Sequence, residues 1–200
     1  MSVQGMVAHC RAELARQHFS PPYRVLAMSL GAMVAVAWAH EYPQEIAANV
    51  LINTSMRPFS TIDQRLLPVN YGALLKLIVS GATPEDWERT ILRITSNHAV
   101  DDVLPIWLEL RRQCPVSRVN ALRQLVAAAR FRASVAKPAA ATLVLASALD
   151  HLVSVECSKA LVRAWHCTLS LHPSAGHDLP LDDGQWVIAK VLEWQIGGFK

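Results

Sequence analysis

The sequence predicts an α/β protein: a mostly parallel sheet of about four strands, interrupted by a helical insertion. Three observations predict it. Short apolar runs of five to seven residues recur near the start and the end of the chain, each followed by a helical pattern. Strands separated by helices indicate a parallel sheet covered on both faces. Between residues 55 and 135 the strand signals vanish and helical ones replace them.

The chain opens with a helix from Val3 to His18, where Val3, Met6, Val7, Cys10 and Leu14 recur at helical spacing. Ser20-Pro21-Pro22 breaks it. Arg24 to Met28 reads as a buried strand, and alanine-rich Leu30 to Tyr42 as a helix packed tightly on the sheet. Pro43 ends that helix, because proline disfavours helical geometry in the residue before it. Ala48 to Asn53 is the next buried strand.

Within the insertion, Thr83-Pro84-Glu85-Asp86 starts a helix with a capping hydroxyl, proline at the first helical position, and acids that suit the dipole. Asp101-Asp102 opens another helix through Leu110. Ser117 caps a third, with Val119, Leu122, Leu125, Val126 and Ala129 on one face. Then come a strand at Ala141 to Ser147, a helix at Glu156 to Trp165, a strand at Thr168 to His172 and a helix at Gly184 to Trp194. The expected organisation is core at 1–54, helical cap at 55–135 and core again at 136–200.

Composition narrows the function classes. Of the 200 residues 52% are hydrophobic and 18% charged, enough apolar material for a core and too little charge for a disordered chain. The net charge of +3 is small and scattered, with no basic patch interleaved with aromatics, so nucleic acid is not an expected partner. The run Val25 to Ala39 is shorter than the ~20 residues of a membrane span, so no membrane association is expected. No secretory leader is legible at the N-terminus. Cys10, Cys114, Cys157 and Cys167 form no C-x-x-C pair and are expected to be reduced and buried, in a cytoplasmic protein.

One serine stands out. In L-A-M-S-L-G-A-M, Ser29 lies between a buried strand and a helix, with Ala27 and Gly31 two residues away on either side. Such a strand–turn–helix needs small neighbours to admit a strained serine, and it lifts the hydroxyl above the carboxyl edge of the sheet. The backbone N–H of Leu30, at the helix N-terminus, can stabilise an oxyanion there. A serine packed near a glycine in an alanine-rich helix gives the same local pattern, so the motif alone decides nothing. Two further residues add to it. Asp150 follows the strand A-T-L-V-L-A-S, and His177 sits in P-S-A-G-H-D after the strand T-L-S-L-H. Both fall at carboxyl ends of predicted strands, where open α/β sheets place ligands.

Together these segments resemble the α/β-hydrolase family, especially its capped carboxylesterase-like members. The elbow L-A-M-S-L-G-A-M, the following E-Y-P-Q-E-I-A-A-N-V-L-I-N-T-S, the acid-bearing T-L-V-L-A-S-A-L-D-H-L-V and the turn P-S-A-G-H-D carry the likeness. The resemblance implies a partial α/β-hydrolase fold and a serine hydrolase acting on a small-molecule carboxylic ester or related acyl compound. Ser29 would be the nucleophile, His177 the general base and acid, Asp150 its orienting carboxylate, and Leu30 an oxyanion donor. It implies no cofactor and no metal; the spacing of His166, His172 and His177 matches no ligand motif. Asp178 and Asp182 follow no strand and are expected to be solvated loop acids. Trp87, Trp107, Leu108 and Phe131 either line a pocket or pack inside the cap.

The family pattern has more before the elbow: several strands and a loop that supplies a second oxyanion N–H. Nothing between Met1 and Pro22 resembles that loop. The expectation is a chain lacking the N-terminal strands, with an impaired oxyanion hole. Three accounts fit: an incomplete copy of a longer hydrolase, a short form completed by another chain, or a non-catalytic remnant that acts as an interaction module. The first is favoured because all three triad residue types remain. In each, the elbow strand has an open edge that invites self-association.

Overall fold

The computed structural model describes residues 1–98 and 100–198. Its elements run α1 (Val3–Arg16), β1 (Tyr23–Met28), α2 (Leu30–Glu41) and β2 (Ile46–Ile52). Five helices follow: α3 (Ile62–Arg65), α4 (Tyr71–Val79), α5 (Pro84–Thr95), α6 (Val100–Gln113) and α7 (Arg118–Arg130). The chain returns to the sheet through β3 (Ala141–Ser147), α8 (Val155–Trp165), β4 (Thr168–His172) and α9 (Leu179–Ile196).

The four strands are parallel and lie side by side in chain order, β1-β2-β3-β4. Their register aligns Met28 with Ile52, Ile52 with Leu145, and Leu145 with Ser170. The central strands β2 and β3 are buried almost throughout, which is why they read as unbroken apolar runs. One face of the sheet packs Leu51 and Val144 against residues of α1, α2 and α8, among them Val7, Val36, Leu161 and Trp165. The other packs Val50, Ile52, Leu143 and Leu145 against Leu179, Val187 and Trp194 of α9. Eight consecutive residues of α2, Ala32 to Ala39, are buried, and their small side chains bring the helix close to the strands. This is the α/β architecture expected from the alternation of runs.

Among the described residues, β1 has a strand neighbour on one side only. Beside it, α1, β1 and α2 enclose an apolar groove of about 830 Å³, whose walls include Met6, Cys10, Val25, Ala27, Leu30 and Val34. Leu26 on β1 is 54% exposed. Arg11 anchors α1 at this corner by donating from Nε and Nη2 to the Glu45 carboxylate, at 2.9 and 2.7 Å, and stacks over the Tyr42 ring.

Several local expectations need correction. The apolar face assigned to α7 does not pack: Val119, Leu122, Leu125 and Val126 are exposed, and Ala127 is the residue buried. The helix docks through its small residues, and its carboxyl end is held by Arg65, which donates to Ala128 O and Ala129 O. α9 starts at Leu179 rather than Gly184, because Asp178 caps it and Pro180 occupies its first turn; a kink at Asp183 accounts for the apparent later start. The cysteines are unpaired as expected, but Cys157 alone is buried, and Cys114 is exposed. Among the described residues, no helix is long and apolar enough to cross a membrane.

Candidate active site

Ser29 ends β1 and caps α2 with φ 52° and ψ −117°, a conformation that residues bearing a Cβ rarely adopt. The turn is held from both sides. Ser29 N–H donates to Ile52 O at 2.9 Å, while Ser29 O accepts from Thr54 Oγ1 and from Ala32 N–H, each at 3.1 Å. Ala27 and Gly31 face one another across the turn: a Cβ on Gly31 would lie 3.9 Å from that of Ala27, ordinary contact for alanine and crowded for anything larger. Leu30 is the first residue of α2, so its N–H lacks an intrahelical acceptor.

Two and three strands away, Asp150 sits in the turn after β3 and His177 in the turn after β4. Both are buried, at 8% and 3% exposure, and Asp150 Oδ2 lies 2.8 Å from His177 Nδ1. The other carboxylate oxygen, Oδ1, accepts from Leu152 N–H and Val153 N–H at 2.8 and 2.9 Å. One oxygen is thus fixed by backbone and the other aimed at the imidazole. A carboxylate so placed selects the tautomer with the proton on Nδ1, leaving Nε2 as the base.

The structure brings Asp150 and His177 into contact and sets Ser29 above the same carboxyl edge of the sheet. Among the described residues no hydrogen bond joins Ser29 Oγ to the imidazole. The spatial link runs through the end of β2. Ile52 O holds Ser29 N–H, and the next residue, Asn53, donates from Nδ2 to His177 O at 2.7 Å and to Ser147 Oγ at 3.0 Å. Asn53 Oδ1 also accepts from Ser147 N–H at 2.8 Å. Asn53 has φ 44°, which asparagine tolerates better than most residues. In the sequence Asn53 is marked only as a strand end. Its one local signal is an amide directly after a buried run, where backbone groups need partners.

Asp178 and Asp182 are not the solvated acids expected. Asp178 is half-buried, its side chain caps α9, and burial pushes its carboxyl above the usual range. Asp182 accepts from Gly176 N–H at 2.6 Å, from Asn97 N–H at 3.0 Å and from the Ser96 hydroxyl. Both acids are drawn into the fold by backbone donors that the turn and the insertion would otherwise leave unpaired.

A second histidine–carboxylate pair lies nearby. His172 Nδ1 accepts from Ala175 N–H at 2.9 Å, and Nε2 faces Asp183 Oδ2 at 3.2 Å. With Nδ1 an acceptor, the proton sits on Nε2, and the ring braces the turn that carries His177. Trp186 N–H, and after it His172, hold the Asp183 carboxyl below its ordinary range. Among the described residues no three His, Cys, Asp or Glu side chains are grouped to hold a metal ion. Of the four proposed lining residues, Phe131 is buried in the core against α2. Trp107 lines a small pocket with Glu88 and Arg111, and Trp87 lies beneath the Arg111 guanidinium, so both belong to the α5–α6 seam. Leu108 is half-buried in α6.

A sequence profile described as serine aminopeptidase, S33, matches residues 2–184. No curated protein matches the chain. Solved structures do. A meta-cleavage product hydrolase from Pseudomonas fluorescens IP01 superposes with a TM-score of 0.78 at 17% identity, over 99% of this chain and 73% of its own. A hydrolase from Pseudomonas aeruginosa gives 0.76 at 17%, over 97% and 72%. A thermophilic esterase from Thermogutta terrifontis gives 0.73 at 18%, over 100% and 74%.

Proposed function

The chain belongs to the S33 serine aminopeptidase-like family of α/β-hydrolases, and from that premise we propose that it hydrolyses a carboxylic ester or related small acyl compound through an acyl-enzyme. The observation that carries the reading is the buried 2.8 Å contact between His177 and Asp150, at the same sheet edge as a serine with φ 52°. His177 Nε2 takes the Ser29 hydroxyl proton as Oγ bonds to the acyl carbon. The ester C–O bond then breaks, and the imidazolium returns that proton to the leaving alcohol. Water, deprotonated by the same nitrogen, releases the acid and frees Ser29. Asp150 stabilises the imidazolium between these transfers. Leu30 N–H is the oxyanion donor we assign. A hole with one donor turns over about 10²–10³-fold more slowly than one with two. Helices α3 to α7 act as the cap over the acyl pocket, and the unpaired cysteines favour a cytoplasmic setting.

The test is a fluorophosphonate probe. It is expected to label Ser29 in the wild type and not in Ser29→Ala. Equal labelling of both, or none in folded protein, removes the enzyme reading. A thioester or carbon–carbon bond cleaved by the same residues gives the same labelling and is separated by substrate assay.

A second reading rests on the edge of the sheet. The apolar groove beside β1 and the exposure of Leu26 favour self-association, with two β1 strands pairing about a two-fold axis. A concentration-dependent dimer in sedimentation, converted to monomer by Leu26→Lys, supports it; a monomer at all concentrations removes it. This interaction role needs no chemistry at Ser29.

A further inference from the structure

One loop of the insertion is stitched to both catalytic turns. Asn97 Nδ2 donates to Leu149 O at 3.1 Å and to Ser174 O at 3.0 Å. Leu149 precedes Asp150, and Ser174 lies three residues before His177, so a single amide spans the turn of the acid and the turn of the base. The flanks of His177 are tied to the same loop. On one side Gly176 N–H donates to Asp182, whose carboxylate also holds Asn97 N–H and the Ser96 hydroxyl. On the other, Asp178 N–H donates to Thr95 O at 2.6 Å. The approach is so close that a Cβ on Gly176 would lie 2.7 Å from Thr95 O. His177 therefore cannot shift relative to Asp150 without breaking bonds to residues 95–97.

We propose that Asn97 and Asp182 are positioning residues that fix the His177–Asp150 geometry and make it depend on how the cap sits. The inference rests on the triad reading for its catalytic meaning, while its structural half stands on the His177–Asp150 bond alone. Loop 95–97 ends α5, so a displacement of the cap helices reaches the imidazole through three residues of backbone. Misplacing a catalytic group by an ångström lowers rates by about 10²-fold.

The experiment follows the far-downfield proton NMR signal of His177 Nδ1–H alongside the fluorophosphonate labelling rate in the full chain. Asn97→Ala removes the span at a solvent-accessible side chain. It is expected to broaden or erase the downfield signal, to slow labelling of Ser29 by about 10–100-fold and to leave the fold intact by circular dichroism. In substrate assays kcat falls and KM does not. Asp182→Ala is expected to act the same way. Asp182→Asn keeps an oxygen for Gly176 N–H and Asn97 N–H and is expected to restore the signal. An unchanged downfield signal in both alanine variants overturns the proposal, as does loss of the signal in Asp182→Asn equal to that in Asp182→Ala. If Asp182→Ala does not fold, Asn97→Ala decides. Loss of the signal in the alanine variants of a protein whose wild type shows it but is never labelled by the probe leaves the positioning role standing and removes the hydrolase reading.

Discussion

His177 Nδ1 and Asp150 Oδ2 lie 2.8 Å apart across the loops that follow two adjacent strands. The carboxylate cannot swing away, because its second oxygen is occupied by Leu152 N–H and Val153 N–H. Asp150→Asn keeps the shape and presents an amide that favours the wrong tautomer. It is expected to lower kcat by about 10³–10⁴-fold with KM little changed. Loss of charge-assisted bonds also costs about 1–3 kcal/mol in stability. Steady-state kinetics and urea titration of the same protein separate the two effects.

The proposed role of Ser29 sets chemistry against stability at one position. Its φ of 52° is comfortable for glycine and strained for any residue with a Cβ. Ser29→Gly is expected to raise the unfolding free energy by about 1 kcal/mol while abolishing probe labelling. Ser29→Ala abolishes labelling without that gain, since it keeps the Cβ. Denaturant midpoints of the two variants against wild type check this.

Asn53 ties the end of β2 to the histidine turn and to Ser147. Asn53→Ala leaves Ser147 N–H and the His177 carbonyl without these partners. It is expected to cost about 2–4 kcal/mol, because buried groups left unpaired carry their full desolvation penalty. Thermal melts read the loss. Asn53→Asp should be at least as damaging, since a carboxylate would face the His177 carbonyl where a donor now lies.

Glu45 makes the groove corner acid-sensitive. Its hydrogen bond from Arg11 holds the carboxyl below its ordinary range, aided by Trp38 N–H and opposed by burial. A depressed acid contributes stability in full above the unfolded value near 4.5, and loses it as pH falls through the lower folded value. Glu45→Gln is expected to cost about 1–2 kcal/mol at neutral pH. The gap between variant and wild type should close as the solution is acidified below pH 4.5, as measured by chemical denaturation at a series of pH values.

The parts of this fold that were legible in the sequence are those whose signal is local. Ala141–Ser147 appears at the residues expected, because a strand buried on both faces reads as an apolar run; Thr168–His172 also appears where expected, as a part-buried edge strand with Leu171 exposed. Thr83-Pro84 starts α5 as read, with the full capping box present. Asp150 and His177, each expected just past a strand end, do meet in the structure at 2.8 Å. What was illegible depends on distant parts of the chain. Asn97, Asp182 and Asn53 act on residues 77, 85 and 124 positions away, and no local spacing records such pairings. The face of α7 failed for a related reason: an apolar stripe says that a helix can be buried, while the neighbour it meets decides which side is. At the start of α9, Pro180 in a turn-like stretch hid a first helical turn.

Loop 95–97 bears on how the helical insertion could be exchanged. A protein engineer seeking a new substrate range would graft helices from one relative onto the sheet of another. Here such a chimera would inherit a loosened base unless the graft were cut outside Thr95–Asn97 and the Gly176–Asp182 turn kept with it. Five hydrogen bonds' worth of seam, rather than the contour of the pocket, would then set which transplants work.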